Sequence, residues 1–269
     1  MKQRFLIMSC IMIMAMVLAA CSRQEASQET DLEVVQVQGD RVVYRTLPEL
    51  IAASDLVVIG EYARQTEQEL TYEYSDLFQK DILVDTLSAN EISVLKVLKG
   101  NVQIGDILTI SQRYSILEAE NQVVTFSDMT PMNQGDRWIF FLIYDELGDT
   151  YWCTGDCDGR YPLPDEEITE LCQEAMAIMK ARDSLLAGQE KISAVQAEEK
   201  LENGDYVYTG LDGTNYSLSK QGAEAVRSLV LDFQEIKDQL DGETFGVYDQ
   251  SLVNLQLYCD ILNTYDLSF

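Results

Sequence analysis

The spacing of apolar residues changes near residue 164. Before it, short stretches of alternating or continuous apolar residues are separated by glycine and acidic turns, which is typical of β-strands. After it, apolar residues recur every three or four positions, which is typical of helices. All four prolines lie at or before residue 164. The pattern predicts an α+β fold, with a β segment over residues 32–164 and a mainly helical segment with a small hairpin over residues 165–269.

The β segment is expected to contain one short helix among strands. LPELIAASD (47–55) predicts this helix, because Pro48 stands in its first turn. Residues 32–46 predict two short strands that turn at Gly39-Asp40, whereas 66–89 predict a loop and an irregular strand. The run at 136–146 is apolar enough to be buried on both faces. Further strands are expected in 55–62, 91–100, 101–114, 122–128 and 150–164.

The second segment predicts four helices and one hairpin. The first helix follows Asp165, a candidate N-cap, and stops near Gly188. Asp212-Gly213 predicts the turn of the hairpin within 205–219. The other helices are expected in 193–204, 220–242 and 248–265.

The N-terminus has the layout of an export signal. Lys2 and Arg4 precede an apolar stretch, Phe5 to Ala20, that is shorter than the ~20 residues a membrane-spanning helix needs. It ends in Leu18-Ala19-Ala20-Cys21, which closely resembles the lipobox of bacterial lipoproteins. The resemblance implies that residues 1–20 are a signal peptide and that Cys21 carries acyl chains. Residues 21–31 are then the lipidated cysteine and a polar tether. The alternative is an uncleaved anchor with an incidental cysteine.

The composition restricts the partners and the kinds of active site that we expect. The formal net charge of −27 argues against nucleic acid as a partner, because phosphates would be repelled. The chain has no histidine, which excludes Ser-His-Asp and Cys-His nucleophile pairs, HExxH sites and Cys/His zinc sites. Carboxylate pairs, Ser-Lys pairs and tyrosine remain chemically available. No cofactor is predicted.

Three sequence stretches occur in a recognisable order: ASDLVVIGEY (53–62), ISVLKVLKGNVQIGDILTI (92–110) and NQGDRWIFFLI (133–143). They resemble a family of exported Gram-positive proteins without assigned function. More distantly, they resemble the netrin or tissue-inhibitor-of-metalloproteinase module, a five-stranded OB-type barrel. The resemblance covers about residues 50–163 and implies a barrel rather than an activity. The inhibitors ligate zinc through a free N-terminal cysteine, whereas Cys21 is expected to be acylated and tethered, which argues against that function.

The cysteines allow several pairings. Cys153 and Cys157 are spaced for a small disulfide loop or for two separate thiols, and they lie in a turn rather than at the helix N-terminus that redox motifs prefer. Cys172 and Cys259 both lie on apolar helical stripes. We expect them to be small buried apolar residues, or to form a disulfide if the two helices pack together.

Two ligand hypotheses come from the same region. Asp156, Asp158 and Asp165 match part of an EF-hand loop, but the first position is threonine and the last lacks the bidentate glutamate, so a polar turn is the simpler interpretation. Trp138 and Trp152 could stack on sugar rings, although Trp138 beside IFFLI is typical of a core residue.

The sequence thus predicts a lipid-anchored protein on the outer, extracytoplasmic face of a bacterial cell membrane. We expect a non-catalytic module that binds an envelope protein or a glycan, in contact with the membrane through the lipid on Cys21. One alternative is a carboxylate-dependent hydrolase acting on an envelope or extracellular polymer. Another is a regulatory or structural envelope lipoprotein.

Overall fold

The structure is a computed structural model that describes residues 32–37, 42–126, 129–240 and 252–267. The predicted signal peptide, Cys21, the tether and the turn at Gly39-Asp40 lie outside the described residues. Within them the chain contains both helices and sheets, so the predicted α+β class is confirmed. None of the helices in these ranges is long and apolar enough to cross a membrane.

In the first part of the chain, residues 32–37, 42–126 and 129–164 form nine strands and one α-helix. Helix α1 (Leu47–Ala53) begins after Thr46, whose side chain accepts a hydrogen bond from the Glu49 amide. The strands are β1 (Glu33–Gln36), β2 (Leu56–Ser75), β3 (Lys80–Lys99), β4 (Ile107–Gln112), β5 (Tyr114–Leu117), β6 (Gln122–Thr125), β7 (Arg137–Asp145), β8 (Thr150–Cys153) and β9 (Arg160–Pro162). A short 3-10 helix, Asp156–Gly159, separates the last two.

Six of these strands form one sheet. Its order is β2-β3-β4-β8-β7-β9, and β2 also pairs with β7. The pairing therefore leads from β2 through β3, β4, β8 and β7 back to β2. All of these contacts are antiparallel except that of β4 with β8. As predicted, β7 is buried on both faces, with residues 138–142 all in the core.

Strand β1 has a different partner from the one expected. It pairs in parallel with β6, and β5 completes this second sheet. Residues 42–45 are extended but belong to no strand, so the predicted hairpin partner for β1 is not formed there. The alternation of side chains along β1 is compatible with a hairpin partner or with β6. The choice of β6 depends on the tertiary fold.

The described residues of the second part form four helices and a small sheet. The helices are α2 (Glu166–Leu186), α3 (Ala194–Glu202), α4 (Lys220–Gln239) and α5 (Leu252–Thr264). The Asp165 carboxylate caps α2, and Ser193 and Gln196 form a capping box at α3. The predicted hairpin forms strands β11 (Tyr206–Thr209) and β12 (Asn215–Leu218), and β10 (Glu190–Ile192) joins β12.

One hydrophobic core joins the two parts. Helix α5 provides much of the contact: the Tyr258 ring stacks on Tyr161 with centroids 5.9 Å apart, and the Tyr258 hydroxyl donates to the Pro162 carbonyl oxygen at 3.0 Å. The core includes side chains from both sides of residue 164, among them Val58, Ile92, Phe140, Phe141, Ala175, Met179, Phe233 and Leu255. The two sequence segments therefore share one packed interior.

Candidate functional site

The most distinctive surface is a hairpin arm formed by residues 71–85. Strands β2 and β3 pair along 20 residues each, but neighbouring strands support only the lower part of this ribbon. The last support comes from β5. The Gln68 amide both donates to the Ile116 carbonyl and accepts from the Ile116 amide, and the Thr86 hydroxyl bonds that of Ser115. Beyond these contacts the described ribbon has two strands.

The turn of the arm is held by local hydrogen bonds. The Gln79 side chain donates to the Asp76 carbonyl oxygen at 2.6 Å, and the Tyr74 hydroxyl donates to the Gln79 side-chain oxygen at 3.4 Å. Gln79 has a φ of 52°, the left-handed conformation that closes many hairpin loops. The turn thus has a defined conformation.

This turn displays large apolar side chains to solvent. Leu77 is 83% exposed and Phe78 60%, while Tyr72 and Tyr74 on β2 are 53% and 59% exposed. We call these four residues the apolar tip. Single exposed apolar side chains are common, but a group of four at the end of a projecting ribbon is typical of a contact surface.

The arm is acidic around its tip. Residues 71–85 carry four acidic side chains, Glu73, Asp76, Asp81 and Asp85, against the single basic Lys80. An apolar tip flanked by carboxylates suits a basic, apolar partner surface, whereas anionic lipid headgroups or phosphates would be repelled.

A second surface is an open groove of about 390 Å³ beside β7 and β8. Tyr144 and Tyr151 line it with ring centroids 5.2 Å apart, and Asp55, Asn101 and Glu146 contribute polar groups. The Tyr144 hydroxyl donates to the Asp149 carboxylate at 2.5 Å, which fixes the ring and raises the pKa of Tyr144. Aromatic faces beside amide and carboxylate groups are the elements from which sugar sites are built.

The two tryptophans do not form a shared platform. Trp138 is 6% exposed, and the Arg160 guanidinium lies 4.6 Å from its ring centroid inside the protein. Trp152 is half-buried and has the Arg113 guanidinium 5.9 Å from its ring centroid. A sugar in solvent therefore has no access to the Trp138 face. The sequence pattern does not distinguish the tyrosines of the groove from the other tyrosines of the chain.

Cys153 and Cys157 are both buried as thiols. Burial raises the pKa of Cys153 to about 12, so it carries almost no thiolate at neutral pH. The Cys157 sulfur lies 3.7 Å from an oxygen of the Asp158 carboxylate. These environments are unlike those of reactive redox cysteines, and a disulfide between the two stays a prediction.

Two of the three acidic residues of the calcium hypothesis make structural hydrogen bonds through their carboxylates. Asp165 caps α2 by accepting from the Ile168 amide at 2.9 Å. Asp158 is buried and accepts from the Tyr44 amide at 3.3 Å, while Asp156 has a φ of 55° in the turn. Across the described ranges, no cluster of three or more potential ligands could hold a metal ion.

A hydrolase with paired carboxyls would need an acid whose proton is retained near neutral pH. Among described carboxyl groups with a resolved shift, Asp260 has a raised pKa, caused first by burial and then by the nearby Asp183 carboxylate, with Arg182 opposing both. Asp260 is not among the residues that line the groove or the other described pockets. Its raised pKa therefore bears on stability.

We expect Asp260→Asn to raise the melting temperature at pH 7 by about 2 °C. The pKa of this carboxyl is higher in the folded state than in the unfolded state, so the protonated form favours folding. This contribution to the free energy of unfolding is complete below the unfolded pKa near ~4 and is lost as the pH rises through the folded pKa. Asparagine does not ionise, so the variant does not lose this stability as the pH rises. Thermal melts at pH 4 and pH 7 should therefore differ less for the variant than for the wild type. An equal effect of the substitution at both pH values would contradict this assignment.

The arm itself was not anticipated. TEQELTYEYSDLFQKDILVDTLSA (66–89) predicts a loop with an irregular strand, yet it forms the outer halves of β2 and β3. The alternation T-Y-E-Y before SDLFQ, with K-D-I-L-V-D after it, is the signal that indicates a hairpin here. Comparisons of the chain with protein-family models, with curated proteins and with solved structures found no match.

Proposed function

We propose that this chain is an exported, lipid-anchored binding protein that docks onto a protein partner through the apolar tip of its hairpin arm. Two features support the proposal: the N-terminal sequence ending in Cys21, and the arm. The observation that carries the binding function is the exposure of Tyr72, Tyr74, Leu77 and Phe78 on an ordered turn that the rest of the described chain leaves uncovered.

We also propose that strands β2, β3, β4, β7 and β8 form an OB-type barrel. Their pairing order returns to β2 and includes one parallel contact, between β4 and β8. OB-type barrels are five-stranded and bind partners through strand faces and loops. Here the extension of β2 and β3 beyond the barrel would provide the binding element.

The negative charges of the arm and of the chain indicate which partner surface would fit the tip. Because the arm carries a net charge of −3 and the chain a net charge of −27, a second copy of this chain would be repelled. The matching surface is an apolar pocket, deep enough for Leu77 and Phe78, with lysine or arginine residues on its rim. Binding should weaken as salt increases, since the rim pairs are solvent-exposed.

Site-specific photo-crosslinking in the producing cells tests the proposal. A benzophenone amino acid replaces Phe78 in the full-length protein, and a matched variant carries it at Leu147, which is 99% exposed on the turn between β7 and β8. We expect one dominant protein adduct from position 78 that is absent from position 147. Equal adducts from both positions, or none from position 78, would contradict docking through the tip.

Binding by the purified partner provides the second measurement. We expect the double variant Leu77→Ser and Phe78→Ser to raise the Kd at least about 10-fold by isothermal titration calorimetry, as loss of central apolar contacts usually does. Its melting temperature should stay near that of the wild type, because exposed substitutions rarely change stability by more than about 0.5 kcal/mol. An unchanged Kd would place the interface elsewhere.

The groove beside Tyr144 and Tyr151 supports a second candidate function, glycan binding or carboxylate-dependent hydrolysis. Asp55 and Glu146 line the same groove as the two rings, so two carboxyls could face one sugar. Titration with envelope and extracellular oligosaccharides tests binding, and release of reducing ends tests hydrolysis. Tyr151→Ala should abolish either signal, and Glu146→Gln should abolish hydrolysis while retaining binding.

A further inference from the structure

Two cysteines far apart in sequence meet in the core. Cys172 lies on α2 and is 1% exposed, and Cys259 lies on α5 and is fully buried. The Cys259 thiol donates to the Cys172 carbonyl oxygen with a sulfur–oxygen distance of 3.8 Å. A hydrogen bond with the Cys172 side chain raises the pKa of the Cys259 thiol, and burial adds to this shift.

The helix interface is suited to a crosslink at this point. Ala175, one turn after Cys172, is also fully buried in the shared core. Small residues at an interface let two helices approach closely, and a disulfide requires its Cα atoms to lie within about 4.4–6.8 Å. The Cys259 sulfur already lies 3.8 Å from the backbone oxygen of Cys172, so α5 approaches α2 closely at this point.

We propose that Cys172 and Cys259 form a disulfide bond that joins α2 to α5 when the protein folds under oxidising conditions. The two thiols lose two protons and two electrons, and one sulfur–sulfur bond forms. The electrons and protons pass to a disulfide-bearing oxidant, whose own sulfur–sulfur bond breaks to give two thiols. Oxidised glutathione or a dithiol oxidase of an extracytoplasmic compartment belongs to this class.

The bond has to form before the core closes. The hydrogen bond with Cys172 and the burial of Cys259 both raise the pKa of the Cys259 thiol, so this thiol is a poor nucleophile in the folded protein. Both sulfurs are also buried in the core, out of reach of a dissolved oxidant. We therefore expect oxidation to accompany folding, and the completed bond to resist reductants until the protein unfolds. The bond closes a loop of roughly 90 residues, a length at which crosslinking restricts the unfolded chain strongly.

Oxidative refolding followed by peptide mapping tests the proposal. The full-length protein is unfolded, reduced, and refolded with a mixture of oxidised and reduced glutathione, and residual thiols are then alkylated in acid. Trypsin places Cys172 in residues 161–180 and Cys259 in residues 238–269, while Cys153 and Cys157 share residues 138–160. We expect peptide 161–180 to be recovered mainly linked to peptide 238–269. Recovery of both as alkylated peptides, or linkage to other cysteines, would overturn the proposal.

A stability measurement separates the native bond from an accidental one. Reduction under unfolding conditions should lower the melting temperature of the refolded wild type by about 5–15 °C. In a Cys153→Ser background, which removes the other possible bond, this fall in melting temperature should persist, and adding Cys172→Ser and Cys259→Ser should abolish it. A wild type that is linked but insensitive to reduction would overturn the assignment.

The same peptide map keeps this inference separate from the export proposal. Protein taken from the producing cells with its thiols blocked at harvest should contain the linked peptide if the chain is exported to a compartment that supplies the oxidant. Linked refolded protein together with thiol-containing cellular protein would support the bond and show that the chain does not meet such an oxidant in the cell. The refolding result does not depend on the compartment.

Discussion

Tyr258→Ala is expected to lower the free energy of unfolding by about 3–5 kcal/mol, as truncations of large buried aromatic residues do. Tyr258 is fully buried, its ring stacks on Tyr161, and its hydroxyl donates to the Pro162 carbonyl oxygen. Alanine would leave a cavity at the contact between α5 and the β segment. Urea unfolding at fixed temperature measures the loss.

Tyr258→Phe is the matched control. It keeps the stacked ring and removes the hydroxyl, so we expect a smaller loss of about 1–2 kcal/mol from the Pro162 carbonyl left without this donor. If the alanine and phenylalanine variants were equally stable, the stacked ring would contribute nothing and the proposed role of α5 would be wrong.

The same unfolding curves test whether the shared core makes the chain unfold as one unit. Both tryptophans, Trp138 and Trp152, lie in the β segment, so their fluorescence reports its unfolding. Circular dichroism at the helix band reports mainly on α2, α4 and α5. We expect the two signals to change together in the wild type, since two-state unfolding requires coincident transitions. Separate transitions would show that the segments fold independently.

Gly159→Ala is expected to destabilise the protein by about 3 kcal/mol or more, because the new methyl group meets backbone atoms that cannot rotate away. A Cβ at this position would lie 2.5 Å from the Thr154 nitrogen and 2.8 Å from the Phe141 carbonyl oxygen. These two atoms are partners in a hydrogen bond of 2.9 Å between the β8–β9 connection and β7. The methyl group would separate them and displace the 3-10 helix.

Gly188→Ala provides the control for this substitution. Nothing lies within 4 Å of a Cβ built there, and the position follows the end of α2. We expect a change between zero and a gain of about 1 kcal/mol, because alanine restricts the unfolded chain. Chemical denaturation of both variants measures the contrast, and a Gly159→Ala protein as stable as the wild type would contradict the packing described here.

The helices were predictable because their signals are local. Asp165, Ser193 and Ser219 are N-caps immediately before stripes with helical spacing, and each caps its helix in the structure. Strand β7 was predictable for a similar reason, since a continuous apolar run needs burial on both faces. Strand β5 was missed because a single residue, Arg113, separates it from β4 and no turn signal marks its start. Strand β10 was missed because its three residues include one apolar side chain, Ile192.

The candidate site was not predictable to the same degree. Leu77 and Phe78 look like core residues in the sequence, and their exposure follows from the length of β2 and β3 relative to their neighbours. Trp138 shows the converse case: the sequence makes it a candidate ligand-binding side chain, but the surrounding strands bury it beneath Arg160. Exposure is a property of the assembled fold, and periodicity alone does not determine it.

The length of the arm also affects the kinetics of association. Five residues of β2 beyond Leu70 rise roughly 16 Å at about 3.3 Å per residue, to which the turn adds a few ångströms. The Debye length at physiological ionic strength is about 8 Å, so the tip lies about two screening lengths from the strongly anionic body. An approaching partner therefore senses mainly the few charges on the arm, and mutations of body carboxylates should leave the association rate at the tip nearly unchanged.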